Sequence, residues 1–487
     1  MIRLDERLET IARWVLEAAG GSDAPRAADV GCDHGYLTAA LLERCPRLTM
    51  LASDVSGPSL EKARRLLASL GLEERAVLRE ADGLDALKGP VCAVVIAGMG
   101  AQTILRILRA GREKLGGAAV IVQANTDLPE LRAGLAGMGL GIEREAFCEA
   151  AGRRYVTLLA REAAPCVLGE REALLGAAAR GVRKEGQRGY FSWQRSVRVR
   201  ELERIAPLGT DRSAQRIRHS SRELTWIAEA LGMKTCTVSE LERLVGEIAP
   251  YGLAEEWDNV GLLLGRRGAP VTRAVVALDL TQEAVDAAKA LGAQAIVTHH
   301  PIMFSARKRV TDDDREGRLM LELAEAGIAH IAAHTNLDSA PGGVNDTLMA
   351  ALGAQNIRGE GFVRAGDLPG GMTLGRLAAQ ARTRLHGEVR VYGAEDTPVH
   401  VLGCCSGAGG GEVALARALG ADCFITGEIR HHEALDAADS GMCVLEAGHY
   451  ETENPVCEVL RTALQNAADA LEYNLTVFCP EVKPFGR

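Results

Sequence analysis

Histidine is scarce in this chain, eleven among 487 residues, and nine of the eleven lie beyond Met233. Three of their settings could hold a metal ion, two of them pairing imidazole with carboxylate. His299-His300 closes a β-rich apolar run, His334-Thr335-Asn336-Leu337-Asp338 closes the next, and His449 stands four residues before Glu453 after a third. A spacing of four puts His449 and Glu453 on one face of a helix start. Strand C-termini are where open α/β sheets gather ligands. Mixed imidazole and carboxylate donors suit zinc, iron, manganese or cobalt, whereas calcium takes oxygen donors. His431-His432, just after ITGE (425–428), offer further polar groups to such a site.

A second chemistry-bearing stretch lies near the start. Asp29-Val30-Gly31-Cys32-Asp33-His34-Gly35-Tyr36-Leu37 reads as strand, turn and helix. Gly31 and Gly35 let the backbone approach a ligand closely, with a helix N-terminus behind them. Asp54 follows about 20 residues later at a strand end, where a carboxylate can hold two ribose hydroxyls. Asp82-Gly83 ends a third strand, GMG (98–100, beginning at Gly98) a fourth, and QAN (Gln123 to Asn125) a fifth. A glycine loop followed by an acidic residue suits a nicotinamide dinucleotide enzyme as well as a methyltransferase.

The elements that must position these residues alternate regularly. AADVG (27–31), LTMLASD (48–54), AVLREAD (76–82), VCAVVIAG (91–98) and AAVIVQAN (118–125) read as buried parallel strands. Helical patterns over 57–71 and 100–111 lie between them, each closed by glycine. This rhythm predicts a doubly wound α/β, Rossmann-like domain over 1–160. Strand signals stop from 165 to 230, where Arg-rich helices turn near Gly186–Gly189 and a polar linker covers 207–222. A fresh α/β unit begins at Met233 with a helix capped by Thr237 or Ser239. Its strands are expected at 273–280, 293–300, 329–336, 399–407, 422–428 and 442–450. The organisation is thus a Rossmann-like domain at 1–160, a basic helical arm at 161–232 and a two-lobed α/β domain at 233–487.

Composition sets the bounds. A length of 487 predicts two to four domains. At 47% apolar and 25% charged the balance is that of a soluble globular protein, and with 4% aromatics its cores must use Ala, Leu, Val and Ile. No run approaches the roughly 18–20 apolar residues of a membrane span, and the charge-studded N-terminus is no signal peptide. A cytoplasmic protein is expected. The twelve cysteines show no C-x-x-C pair and read as reduced thiols. The chain carries a formal charge of −9, yet 153–222 holds sixteen Lys and Arg against seven Asp and Glu. Such a segment invites a polyanion partner, the plainer reading being a solvated helical face.

The N-terminal motifs resemble those of bacterial tRNA (adenine-22-N1)-methyltransferases. The shared features are the loop at 28–37, the A-G-M-G turn at 97–100, the QAN strand end and Gly152–Tyr155, with departures at Ala101 and Ala124. The resemblance spans roughly 1–225. It implies S-adenosylmethionine as cofactor, held by Asp29, Gly31, Gly35, Asp54, Asp82 and Gly98. Tyr36 would stack or position the adenine, Asn125 or Gln123 would bond its edge, and Asp33 would take the released proton. The basic arm 153–222 would grip the tRNA backbone.

The C-terminal motifs resemble the dinuclear-metal family known as GTP cyclohydrolase type 2 homologues or NGG-interacting-factor-like proteins. WDNVGLLLG (257–265), THHPIMF (298–304), HTNLDSAPGGVND (334–346), ITGE and GHYETE (448–453) carry it. The resemblance implies that His299, His300, Asp338, His449 and Glu453 ligate two metals, Glu453 bridging. His334 would be a further ligand or a support for one. It also implies homo-hexamers and a segment at 351–390 too short for an inserted domain. Two adjacent metals make hydrolysis the expected reaction, the alternative being a non-catalytic metal-binding ring that oligomerises the methyltransferase.

Overall fold

The computed structural model of the protein describes residues 2–182, 185–206, 210–359 and 361–482. The chain divides into two units, 1–198 with 221–232, and 199–220 with 233–487.

Among the described residues the first unit holds seven strands: β1 (Arg26–Val30), β2 (Thr49–Asp54), β3 (Ala76–Glu80), β4 (Ala93–Met99), β5 (Ala119–Ala124), β6 (Leu140–Ala150) and β7 (Arg153–Glu162). They form one sheet in the order β3-β2-β1-β4-β5-β7-β6. Strands β1 to β5 run parallel, and β7 and β6 are antiparallel additions at the β5 edge. Chain order reverses between β1 and β4, which opens a crevice beyond the carboxyl ends of the strands. One face is sealed by Ile11, Val15 and Leu41, the other by Ile104, Leu108 and Leu131. All five expected strands are present, but β3 is not buried, because it forms the open edge of the sheet. The β6–β7 hairpin was not legible, because β6 is an edge strand with few fully buried residues and no clean alternation.

The helical stretch corrects the sequence reading twice. Instead of a turn at Gly186–Gly189, one helix runs Glu185–Ile205. Gly186 serves close packing there: a Cβ would lie 3.0 Å from the carbonyl oxygen of Phe147. Instead of a linker over 207–222, a helix runs Asp211–Leu231, and only 207–209 lie outside the described residues. Its buried Ile217, Ser220, Leu224 and Ile227 recur every three or four residues beneath a strongly polar outer face. Upstream, the helix Glu170–Leu175 is tied to β6 through buried Arg132, which donates to Glu145 and to the carbonyls of Ala173 and Leu174.

The second unit contains β8 (Cys236–Thr237), β9 (Gly261–Leu264), β10 (Pro270–Val271), β11 (Arg273–Ala277), β12 (Ala295–Thr298), β13 (Ala329–Ala332), β14 (Gln355–Arg358), β15 (Arg364–Thr373), β16 (Arg390–Tyr392), β17 (Pro398–Cys405), β18 (Cys423–Thr426), β19 (Cys443–Glu446) and β20 (Thr476–Phe478). Five strands form a sheet in the order β20-β11-β12-β13-β9, and six form another in the order β14-β15-β17-β18-β19-β16. The β8–β10 pair leads into the helix Val238–Ile248, which Thr237 and Glu240 close with a capping box. The segment 351–390 supplies β14, β15 and a helix to the second sheet rather than a separate body. After β19 the helix Pro455–Ala470 carries the chain back, and β20 pairs in parallel with β11.

No helix among the described residues is long and apolar enough to cross a membrane. All twelve cysteines are free thiols.

Candidate functional site

Both sheets of the second unit contribute to one cluster. His299 and His300 follow β12, His334 follows β13, and Asp338 lies on the short helix Thr335–Ser339. From the other sheet, β19 leads into the helix His449–Glu453, where the spacing of four brings His449 Nε2 to 3.2 Å from Glu453 Oε2. Three overlapping sets each have one donor atom per residue within 4.8 Å of one another. They are His299 with His300 and His334, His300 with His449 and Glu453, and His299 with Asp338 and Glu453.

Each of the four imidazoles is oriented through Nδ1. His299 Nδ1 lies 2.9 Å from Ala333 O, His300 Nδ1 2.8 Å from Asp279 Oδ1, His334 Nδ1 2.9 Å from Asp258 Oδ1, and His449 Nδ1 3.0 Å from Glu428 Oε1. With Nδ1 donating, Nε2 is the atom turned toward the cluster. Glu453 Oε2 then sits 3.1 Å from His300 Nε2 and 3.9 Å from His299 Nε2. Asp258 is fixed in turn by the N–H and hydroxyl of Thr335.

The carboxylates around His300 and His449 call for positive charge at those two Nε2 positions. Burial opposes charge on His300, but Asp279 and Glu453 outweigh it and push its pKa up to about 10. The neighbouring Glu453 carboxylate raises His449 to about 9 against its burial. Burial alone dominates at His299, pushed down to about 3, and the same desolvation holds the Asp338 carboxyl well above its usual range. Glu453 is also desolvated, yet its histidine neighbours hold it below the carboxylate range. His299 Nε2 and Asp338 Oδ1 are buried without a hydrogen-bond partner, 3.6 Å apart. Orphaned buried polar atoms need a partner, and a cation between them satisfies both. The donor set therefore fits a metal ion.

The sequence reading named every residue of these sets and missed their supports. Asp279 and Glu428 lie at the ends of apolar runs already singled out and Asp258 lies just ahead of β9, but nothing local marks them as partners of histidines 21, 21 and 76 residues away. His431 and His432 are exposed at the start of the helix His431–Asp439 and join no donor set among the described residues.

In the first unit the expected cofactor residues line the carboxyl ends of the parallel strands. Gly31 and Gly35 both adopt left-handed φ, +78° and +75°. A Cβ on Gly31 would lie 2.2 Å from Met99 Cε, and one on Gly35 2.8 Å from Ala63 Cβ. Asp29 is buried and accepts the Thr38 hydroxyl at 2.8 Å, burial raising its pKa to about 6. Asp54 accepts the N–H of Asp33 at 3.1 Å and that of Ser56 at 2.8 Å, which joins the first two strand-end loops. Asp33 is itself left-handed and solvent-exposed, its carboxylate 2.6 Å from His34 Nδ1. Tyr36 is exposed beside His34, with the two rings stacked. Asp82 holds Arg106 through both oxygens.

Asn125 donates to the carbonyl of Gly98 at 2.8 Å and accepts from Gln123, whose buried amide accepts from Arg7. Gln123 thus faces the protein, and Arg7, which also lies over the Tyr155 ring, is a support the sequence did not mark.

Comparison with known proteins places both halves. Residues 236–484 match the family model Duf34/NIF3 (NGG1p interacting factor 3), and residues 4–158 match a methyltransferase-domain model. A GTP cyclohydrolase 1 type 2 homolog of Clostridium acetobutylicum is 32% identical over 251 residues, 49% of this chain and 94% of the relative. The Staphylococcus aureus protein SA1388, of known crystal structure, is 28% identical and covers 51% of this chain and 97% of its own at a TM-score of 0.50. The B. subtilis tRNA methyltransferase TrmK, 24% identical, covers 47% of this chain and 100% of its own at a TM-score of 0.42. The chain belongs to the Duf34/NIF3 family and carries, ahead of that domain, a methyltransferase domain in the same polypeptide.

Proposed function

We propose that the chain is a bifunctional enzyme: a tRNA adenine-N1 methyltransferase, acting at position 22, joined to a two-metal hydrolase. The hydrolase reading is carried by one observation, the sharing of Glu453 between the set with His299 and Asp338 and the set with His300 and His449. Two divalent cations, zinc, iron or manganese, would supply electrophilic polarisation and a lowered water pKa. His299 and Asp338 would hold one, His300 and His449 the other, and Glu453 both, with His334 extending the first set. Asp279, Asp258 and Glu428 keep the imidazoles in the tautomer that binds.

For the methyltransferase half, the motif resemblance at the strand ends supports the reading. S-adenosylmethionine supplies the electrophilic methyl group, and adenine N1 already has a lone pair, so the protein's task is placement. Gly31 and Gly35 admit the cofactor to the backbone, and Asp54 takes its ribose hydroxyls. Asp29, Asp82 and Gly98 complete that crevice. Tyr36 is exposed for stacking on the flipped base, Asn125 keeps one amide N–H beyond its bond to Gly98, and Asp33 receives the proton. The basic stretch 153–222, whose first ten residues are strand β7 rather than helix, engages tRNA phosphates, the second unit assembles as a hexamer, and the protein works in the cytoplasm.

Transfer of labelled methyl from S-adenosylmethionine to tRNA, lost in Asp54→Ala, tests the first activity. Hydrolysis assays on the full chain loaded in turn with zinc, iron and manganese test the second, and silence under all three would leave the assembly-ring reading in its place.

A further inference from the structure

Beside the metal cluster lies an open cavity of about 680 Å³, within the range of small-molecule sites. Its lining includes Asp279, Glu428 and His449 together with Thr281, Arg315 and Arg318. Asp279 and Glu428 are committed to His300 and His449. Arg315 and Arg318 are exposed in the first turn of the helix Arg315–Ala326, three residues apart and hence on one face. Arg315 is anchored by its bond to Leu280 O at 2.6 Å, which leaves further N–H groups. Arg318 forms no hydrogen bond or ion pair with another side chain among the described residues. One further carboxylate, Glu283, lines the wall.

Arg318 and the unbonded N–H groups of Arg315 line a cavity that also reaches His449, and a pair of guanidinium groups there favours an anion. The planar guanidinium fork matches phosphate geometry. We propose that this cavity is the anion subsite of the hydrolase: Arg315 and Arg318 hold a phosphate group of a phosphorylated small molecule whose reacting bond lies toward His449. The proposal rests on the hydrolase reading for its chemistry and on the cavity for its recognition. A neutral or cationic substrate would give the Arg318 guanidinium no hydrogen-bonding partner.

The test uses the full chain loaded with zinc or manganese, with inorganic phosphate as binding probe and p-nitrophenyl phosphate as reporter of turnover. Arg318→Ala removes a group with no structural bond, so folding is expected to be retained. It should weaken phosphate binding at least about tenfold, whereas Arg318→Lys keeps most of the binding and Arg376→Ala, outside the cavity, changes nothing. Where p-nitrophenyl phosphate turns over, Arg318→Ala should raise KM by a similar factor with kcat nearly unchanged. Phosphate binding that is equal in wild type, Arg318→Ala and Arg318→Glu overturns the proposal. Arg318-dependent binding without any turnover supports the subsite and counts against the hydrolase alone.

Discussion

Metal binding to the histidine cluster should be steeply pH-dependent, and the structure sets the slope. In the metal-free protein His300 and His449 have pKa values raised to about 10 and about 9, so both are protonated at neutral pH. A metal needs their Nε2 atoms bare, and two protons must leave as it binds. His299, pushed down to about 3, contributes none. The sign is therefore fixed: affinity rises with pH up to about 9 and falls as the solution is acidified. Two protons over two pH units, from 8 to 6, amount to roughly 10⁴ in affinity, or about 5 kcal/mol. Asp338, whose carboxyl burial holds up, steepens the acid end further. Competition with a chromophoric chelator at constant ionic strength gives the slope, and calorimetry in buffers of different ionisation enthalpy counts the protons. Asp279→Asn keeps a hydrogen-bond acceptor for His300 but removes the charge, so the slope should fall toward one. A wild-type slope below about one, or an Asp279→Asn variant indistinguishable from it, would refute the reasoning.

Three further outcomes are expected. Asp338→Ala should lower the metal content from two equivalents per chain to one, read by elemental analysis, with methyl transfer to tRNA unchanged. Gly35→Ala places a Cβ 2.8 Å from that of Ala63 at φ +75° and should destabilise the first unit by about 1–3 kcal/mol, seen as a lowered Tm at unaltered metal content. Arg212→Ala on the helix Asp211–Leu231 should weaken tRNA binding and reduce the log–log salt slope by about one; a slope equal to wild type would remove that residue from the phosphate contacts.

Much of this architecture is written locally. Strands β1, β2, β4, β5 and β11 to β13 are short apolar runs closed by Gly, Asp, Asn or His, and a run of that kind has few other ways to bury its side chains. The candidate donors are legible by type, since each stands at or shortly after the end of such a run. Their supports were not: Asp258 reaches His334 across 76 residues, and only the fold brings them together. The helix Asp211–Leu231 shows the opposite failure. Its buried positions keep helical spacing, but Arg and Gln on the outer face, and Ser even at the buried positions 213 and 220, give the window a linker's composition. Gly186 misled through residue type alone, since the absence of a side chain serves close contact with Phe147 as readily as it serves a turn.

The return of the chain to β20 has a consequence for how the protein is made. The methyltransferase sheet is complete once β7 has left the ribosome, so that half can fold while the rest is still being synthesised. The first sheet of the other half cannot close, because β11 lacks its parallel neighbour until Thr476–Phe478 emerges. At roughly 5–20 residues per second, the interval from Ala277 to Thr476 leaves that edge open for some tens of seconds. Through most of that interval His299 and His300 exist without Glu453. Premature capture of metal by an incomplete ligand set, and pairing of the open β11 edge with a neighbouring nascent chain, are the hazards this threading creates for the second half and not for the first.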